Sequence, residues 1–200
     1  MNSDIIIWDA DGTILDDIDV INSIALQVAD ILKIPHCNNY RELRVALNNS
    51  EFGKTYFQDI IDFICSAVVF RSNNFFVFDG IIELIKKIDA SHFIVSGGFS
   101  DVSINVLKNR GVLNLFSGIF GRELGNKGNI LRKFTADEAI FISDSLKDLR
   151  RAKEIHPMWK YIAVTWGIEN RNNFDCNDVA DVVCNSIDEL NTTIKTLIGD

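Results

Sequence analysis

The sequence predicts an α/β protein built on a parallel sheet, for two reasons. Short apolar runs alternate with stretches of helical spacing over much of the chain, which is typical of strands joined by crossover helices. The length of 200 residues also suffices for one good hydrophobic core. The predicted strands are, in chain order, Asp4–Trp8, Ser91–Val95, Glu138–Ser143, Tyr161–Thr165 and Ala180–Cys184.

Helical spacing between and after the later strands predicts three helices. The first runs near Phe99–Arg110, and Gly111 suits the left-handed conformation just past its end. The second covers Leu146–Ile155 and stops before Pro157, because proline cannot continue a helix. The third runs roughly over Ile187–Leu197.

Residues 16–78 break the alternation and predict a helical insertion after the first strand. Apolar residues recur there at helical spacing in two stretches, and no convincing strand pattern is visible. We therefore expect an all-α subdomain over residues 16–78 and a core formed by residues 1–15 and 79–200. The periodic residues are Ile18, Ile21, Ala25, Val28 and Leu32, then Phe57, Ile60, Ile61, Ile64 and Val68.

Composition argues against several partners. A net charge of −8 and a pI near 4.9 disfavour nucleic acid and anionic membranes. The longest apolar stretch, residues 60–70, is too short to span a bilayer, and no secretory signal is visible. The four cysteines form no CxxC pair and suit free thiols in a reducing compartment. We expect a cytoplasmic monomer or homodimer; the cysteines are Cys37, Cys65, Cys176 and Cys184.

The motif Asp9-Ala-Asp11-Gly12-Thr13 follows the apolar run of the first predicted strand. Two acids at one strand end repel each other, so they need a cation or hydrogen-bond donors to be stable together. That cost indicates a chemical role for Asp9 and Asp11.

Other predicted strands also end in polar residues. Ser96, followed by Gly97 and Gly98, ends the second strand, and Ser143-Asp144 ends the third. Asp148 lies about one helical turn after Asp144, and Lys127 stands between these strands in Gly125-Asn126-Lys127-Gly128. Because ligands of open parallel sheets bind outside the carboxyl ends of the strands, we expect these groups to form one site.

These residue types suit the hydrolysis of a phosphate ester. One carboxylate can attack phosphorus, and a second can transfer the protons. Crowded carboxylates favour Mg²⁺. Ser96, the N–H groups near Gly97 and Gly98, and Lys127 can bind the oxygens of the transferring phosphoryl group.

In this order, the motifs resemble those of the haloacid dehalogenase superfamily, whose phosphatases carry DxDGT, a strand-terminal Ser or Thr, a Lys and a distal acidic pair. The resemblance covers the whole chain. It implies a Rossmann-like three-layer core and a small helical cap at residues 16–78. It also implies a Mg²⁺-dependent phosphatase that acts on a small phosphomonoester through an aspartyl-phosphate.

The resemblance further implies a role for each acid. Asp9 would be the nucleophile and Asp11 the general acid/base. The metal would be held by the Asp9 carboxylate, the Asp11 main-chain carbonyl and Asp144, with Asp148 in support. Ser96 and Lys127 would bind the phosphoryl group, and Lys127 would also offset the charge on the nucleophile; Gly97 and Gly98 complete the phosphate-binding set.

Two departures from the family pattern are visible. The residue before the distal acidic pair, commonly Gly, is Ser143, and residues 155–157 replace an Ala-Gly that often follows the next helix. We expect neither to touch the chemistry. The dehalogenases of the superfamily lack an acid at the position of Asp11, so Asp11 favours phosphoryl transfer over carbon–halogen cleavage.

Several activities remain open on this scaffold. Phe78-Asp79-Gly80 resembles the cap exit of phosphoglycolate- and sugar-phosphate-type members, which we prefer, whereas Ser96-Gly97-Gly98-Phe99 resembles a motif of phosphoserine phosphatases. A phosphomutase is a further alternative. A non-catalytic binding protein is disfavoured, because the full set of acids is present.

Overall fold

The computed structural model of the chain describes residues 4–168, 174 and 179–199. Six of its strands form one sheet in which each neighbouring pair is parallel. The strands are β1 Ile5–Trp8, β2 Leu15–Asp16, β3 Phe76–Val77, β4 Ser91–Val95, β5 Gly118–Phe120, β6 Ile140–Ser143, β7 Lys160–Val164 and β8 Val182–Cys184. The sheet order is β5-β4-β1-β6-β7-β8, so β1 is central.

Helices connect these strands and confirm the predicted α/β class. Within the described residues they are α1 Ile18–Ile31, α2 Tyr40–Asn49, α3 Glu51–Arg71, α4 Ile81–Lys87, α5 Ser100–Asn109, α6 Lys127–Leu131, α7 Leu146–Ile155 and α8 Ile187–Ile198. The five predicted strands agree with β1, β4, β6, β7 and β8 to within two residues at each end. The predicted helices correspond to α5, α7 and α8, and Gly111 has the expected positive φ of 68°.

Alternate residues of β1 point to opposite faces of the sheet and build its two cores. Ile6 and Trp8 are buried in a cluster with apolar residues of α1, α3, α5 and α8. Ile7 is buried in a second cluster with residues of α6 and α7. Helices therefore cover both faces, as a parallel sheet requires, and produce the predicted three layers.

Residues 16–78 are mainly helical, but the expectation that they contain no strand was wrong. β2 and β3 pair antiparallel, Leu15 with Val77 and Asp16 with Phe76, and join the insertion to the sheet domain. Each has two residues, too few to produce a periodic pattern. The exact division at residues 15 and 79 stays a prediction.

The three helices of the insertion, α1 to α3, are called the cap helices below. They pack on one another, and a polar side chain caps the start of α2 and of α3. The Asn39 side chain accepts from the Glu42 N–H at the start of α2, and the Ser50 side chain accepts from the Gly53 N–H at the start of α3. Across the described ranges, no helix is long and apolar enough to cross a membrane.

Candidate active site

The sheet order places three of the predicted site residues at neighbouring strand ends. Asp9 follows β1, Ser96 follows β4 and Asp144 follows β6, and β1 lies between β4 and β6. The Asp9 N–H donates to the Ile142 carbonyl at 2.8 Å, which continues the pairing of β1 with β6 as far as Asp9. All three side chains are buried, so the site lies at the carboxyl edge of the sheet, as predicted for a parallel fold.

Asp9 is fixed by donors at both carboxylate oxygens. Oδ1 accepts from Lys127 Nζ at 2.7 Å and from the Ala10 N–H at 2.8 Å, and Oδ2 accepts from Ser143 Oγ at 2.6 Å. Burial raises the pKa of Asp9 to about 6, although Lys127 and Ser143 oppose the rise. The carboxyl is therefore mainly ionised at neutral pH, as a nucleophile must be.

Lys127 is a buried cation between two carboxylates rather than a surface lysine. It is the first residue of α6, which Asn126 caps, and its Nζ also lies 2.6 Å from Asp148 Oδ2. Burial alone would lower the pKa of Lys127, but Asp148 and Asp9 outweigh it and raise that pKa. Burial likewise opposes ionisation of Asp148, yet Lys127 holds the pKa of this acid below its usual value. The three groups therefore remain charged together.

Asp11 and Ser96 form the second part of the site. Ser96 Oγ donates to Asp11 Oδ2 at 3.2 Å and accepts from the Gly98 N–H at 2.9 Å. Gly12 turns the chain with a φ of 73°, a conformation in which residues with a side chain are strained. Beside Gly97 the space is open, since a Cβ built there meets no atom within 4 Å. A Cβ built at Gly98 would instead lie 3.4 Å from Ser96 Oγ and 3.8 Å from Asp11 Oδ2, so the Gly98 backbone lies close to both side chains.

Asp144 forms the third part and is 1% exposed. Its Oδ2 accepts from the Ile168 N–H at 2.7 Å, and its Oδ1 accepts from Thr13 Oγ1 at 3.3 Å. Added Cβ atoms at Gly12 and Gly167 would lie 2.3 and 2.2 Å from Oδ2, so backbone closely surrounds this carboxylate. Burial, followed by the charge of Asp9, raises the pKa of Asp144 to about 7.

These carboxylates form an environment that fits Mg²⁺. The acids that interact here, Asp9, Asp11, Asp144 and Asp148, outnumber the one lysine between them. Burial is the main cause of the raised pKa values of Asp9 and Asp144, and the neighbouring carboxylates Asp148 and Asp9 add to it. Among the residues described, no three His, Cys, Asp or Glu side chains by themselves form a metal cluster. Mg²⁺ does not need one, because it binds through one or two carboxylates and completes its shell with other oxygens.

The structure corrects the expectation for Ser143, which was thought to stay clear of the chemistry. Its hydroxyl donates directly to Asp9 Oδ2 and accepts from the Ser145 N–H at 3.1 Å. The register of the sheet explains this contact. Trp8 of β1 pairs with Ile142 of β6, so the next residues, Asp9 and Ser143, lie side by side. A serine therefore donates to the predicted nucleophile, Asp9, at the position where the family pattern commonly has glycine.

Asp17 is a second residue that sequence reasoning missed. It precedes α1 and is 1% exposed, and within the part of the chain that the structure describes neither carboxylate oxygen makes a hydrogen bond of good geometry. Burial, followed by the nearby charge of Asp11, raises the pKa of Asp17 well above its usual value. The acidity of the site therefore extends from the sheet edge to the start of the first cap helix.

We expect Asp17→Asn to be more stable than the wild type at pH 8 without added Mg²⁺. A raised folded-state pKa gives stability at low pH that is lost as pH rises above the unfolded value of about 3.9. The neutral amide escapes this loss, so its advantage should grow from pH 5 to pH 8. A gain of roughly 2–4 °C in Tm at pH 8 is expected, the shift that about 1 kcal/mol produces in a protein of this size.

Thermal unfolding at both pH values measures this difference. Asp16→Asn is the matched control, because it makes the same change at an exposed acid next to Asp17. A lower Tm for Asp17→Asn at pH 8 would contradict the account of its burial.

Residues 6–159 match the sequence profile of the haloacid dehalogenase-like hydrolases. The chain belongs to this family, which confirms the family and the hydrolase class predicted from its motifs. No curated protein matches the chain at a significant level.

Solved structures share the fold over nearly the whole chain. A hydrolase of the haloacid dehalogenase-like family from Streptococcus pneumoniae has a TM-score of 0.76 at 18% identity, covering 97% of this chain and 98% of its own. A proposed phosphoglycolate phosphatase from Lactobacillus delbrueckii has a TM-score of 0.69 at 17% identity, covering 97% and 99%. A predicted phosphatase from Clostridium acetobutylicum has a TM-score of 0.67 at 18% identity, covering 98% and 100%.

Proposed function

We propose that the protein is a Mg²⁺-dependent phosphomonoester hydrolase that acts on a small phosphorylated metabolite through an aspartyl-phosphate. The carrying observation is the state of Asp9: a buried carboxylate held by Lys127, Ser143 and the Ala10 N–H, two residues before a second acid. A carboxylate fixed in this way is a preorganised nucleophile. The similar structures described as phosphatases, one of them a proposed phosphoglycolate phosphatase, support this choice.

In the first step, a carboxylate oxygen of Asp9 attacks the phosphorus of the ester. The bond from phosphorus to the ester oxygen breaks, and Asp11 gives its proton to the departing alkoxide. Lys127, Ser96 and the N–H groups near Gly98 would bind the phosphoryl oxygens as charge redistributes over them. The product is an alcohol, and the phosphoryl group stays on Asp9.

In the second step, water attacks the phosphorus of the aspartyl-phosphate. Asp11 takes a proton from this water, the bond from phosphorus to the Asp9 oxygen breaks, and inorganic phosphate leaves. Asp9 is regenerated as a carboxylate and Asp11 again carries a proton, so the atoms and charges balance over the cycle.

The metal would be held by the Asp9 carboxylate, the Asp11 main-chain carbonyl and Asp144, with Asp148 in support through its pairing with Lys127. Bound Mg²⁺ would neutralise phosphate charge and orient the ester for attack. Its charge would also lower the raised pKa values of Asp9 and Asp144.

We expect hydrolysis of p-nitrophenyl phosphate to require Mg²⁺. Removal of the metal with EDTA should lower kcat by roughly a hundredfold or more, because the crowded acids then repel the substrate phosphate. Excess Mg²⁺ should restore the rate and raise the Tm of the wild type, whereas Asp144→Asn should lose most of that Tm gain. Full activity in EDTA would contradict the metal's role.

A screen of phosphorylated metabolites tests the substrate class. A two-carbon phosphate or a sugar phosphate is expected to be turned over best, in line with the cap-exit motif at residues 78–80. Phosphoserine as the one good substrate would reverse this preference. Transfer of the phosphoryl group back to a sugar phosphate would instead identify a mutase.

A further inference from the structure

We propose that Arg122 is a positioning residue that ties the cap helices to the loop carrying Ser96 and Gly98. This inference rests in part on the proposed function, because one of its tests measures phosphatase activity. Arg122 begins a 3-10 turn just after β5, and its side chain is 15% exposed. It therefore belongs to the sheet domain, while its partners lie both in the sheet domain and on the cap helix α3.

On the cap side, Arg122 binds α3 at two positions one helical turn apart. Its Nη2 lies 2.8 Å from Asp62 Oδ1, and its Nη1 lies 3.2 Å from Cys65 Sγ. Gln58 Nε2 donates to the same Asp62 oxygen at 3.0 Å and holds the acid in place. Because two guanidinium nitrogens of Arg122 contact the same helix, they fix the orientation of α3 better than a single contact can.

On the sheet side, Arg122 is attached to the proposed phosphate loop. Its N–H donates to the Gly98 carbonyl at 2.8 Å, and its guanidinium lies 5.7 Å from the centre of the Phe99 ring. The Gly98 N–H donates to Ser96 Oγ, which in turn donates to Asp11. A continuous series of contacts therefore runs from Asp62 in the cap to the proposed general acid.

Close packing makes this series stiff. A Cβ at Gly121 would lie 2.2 Å from the Ser100 N and 2.7 Å from the Gly98 O, so no space separates the turn from the loop. A shift of the Arg122 backbone is then expected to displace Gly98, because the Arg122 N–H donates to the Gly98 carbonyl. Because packed interfaces have discrete arrangements, the position of the cap and that of Ser96 are expected to change together.

Further contacts hold the cap near the C-terminal end of α3, among them two side-chain hydrogen bonds that are called the base of the cap below. Asn105 Nδ2 donates to Ser72 Oγ at 3.3 Å and Asn109 Nδ2 donates to Asn73 Oδ1 at 2.9 Å, both just beyond the end of α3. Asp62 lies nine residues before that end, about 14 Å along the helix. At that distance a small rotation about the base breaks the Arg122–Asp62 pair, which makes this pair the sensitive contact.

The experiment compares Asp62→Asn with Asp59→Asn, an exposed acid on the same helix. Asp62→Asn should lower kcat for p-nitrophenyl phosphate roughly tenfold with KM near the wild-type value. The same variant should speed amide exchange of Gly98 and Arg122, followed by NMR, by a similar factor. Asp59→Asn should change neither quantity.

Arg122 variants complete a double-mutant cycle. In an Arg122→Met background, Asp62→Asn should cause no further loss, and Arg122→Lys should retain part of the activity because it keeps the charge. Faster exchange in α3 alone, with Gly98 and Arg122 unchanged, would overturn the proposal and leave the ion pair a purely structural role. So would wild-type exchange and kcat in Asp62→Asn.

The two proposals can fail separately. A wild type that hydrolyses no phosphomonoester with Mg²⁺ would refute the proposed function, while amide exchange of Gly98 and Arg122 would still decide the role of Arg122. An active wild type with unchanged exchange in Asp62→Asn would refute the role of Arg122 alone.

Discussion

Asp9→Asn is expected to abolish turnover of p-nitrophenyl phosphate, with a loss on the order of a thousandfold or more, since removal of a nucleophile leaves only binding and electrostatic effects. The amide is nearly the same shape as the carboxylate. Its oxygen can still accept from Lys127 and the Ala10 N–H, and its NH₂ group can donate to Ser143 Oγ. The fold should therefore survive, and the loss should fall on the chemical step.

Two measurements separate this result from misfolding. Acid quenching during turnover should trap a phosphorylated wild-type chain and no phosphorylated Asp9→Asn chain. Asp19→Asn, an exposed acid in the first turn of α1, should keep wild-type activity and fold. Near-full activity in Asp9→Asn, with deamidation excluded by mass spectrometry, would refute Asp9 as the nucleophile.

The acids of the site could be predicted because strand ends are readable from sequence. Apolar runs locate β1, β4 and β6, and each run ends at a polar residue, Asp9, Ser96 or Ser143. Parallel strands then bring these ends to one edge of the sheet. The distance between Asp9 and Asp144 along the chain therefore did not hinder the prediction. Their catalytic roles stay predictions until the variants are measured.

Contacts that depend on long side chains were not predictable in the same way. The contact of Lys127 with Asp9 was expected only from the family resemblance, because Lys127 stands in a polar, glycine-containing segment that looks like a surface loop. Its burial depends on Asp9 and Asp148, 118 and 21 residues away. Arg122 likewise meets Asp62 only after the cap folds over the sheet domain. Such pairs have no periodic signal, because a long side chain can reach many positions from one backbone site.

Short elements were missed for a related reason. β5 has three half-buried residues, Gly118–Phe120, which cannot show an alternating pattern. Yet β5 is the edge strand of the sheet, and the turn that starts at Arg122 follows it directly. Because β5 was not predicted, the contact of Arg122 with the cap and with the Gly98 loop was not predicted either. The functional details that sequence reasoning missed are thus concentrated where local pattern is weakest.

Lys127→Met should cause the second large loss, in both stability and activity. Removing one partner of a buried ion pair leaves the other charges uncompensated, which typically costs about 3–5 kcal/mol. Here two carboxylates, Asp9 and Asp148, lose the same ammonium. Activity with Mg²⁺ should fall by roughly a hundredfold or more, because a positive group facing the phosphoryl oxygens is lost as well.

The stability loss should grow as pH rises from 5 to 8. In the wild type, Lys127 holds the pKa of Asp148 below its usual value. Asp148 therefore contributes stability above its unfolded pKa of about 3.9. This contribution is lost only as pH falls through the lower pKa that Asp148 has in the folded protein. Without Lys127, burial raises the folded pKa of both acids, and stability is then lost as pH rises. The raised pKa of Lys127 itself lies above this window, so its own titration adds no slope there.

Chemical denaturation at pH 5 and pH 8 measures this difference, with Lys133→Met as the matched control, since Lys133 is an exposed lysine just beyond α6. Adding Asp148→Asn to Lys127→Met should recover part of the lost stability at pH 8, because one of the two carboxylates left without a cation is removed. It should not recover activity, since Asp9 would still lack its ammonium partner. Equal stability of Lys127→Met and the wild type at pH 8 would show that the buried acids do not depend on this cation.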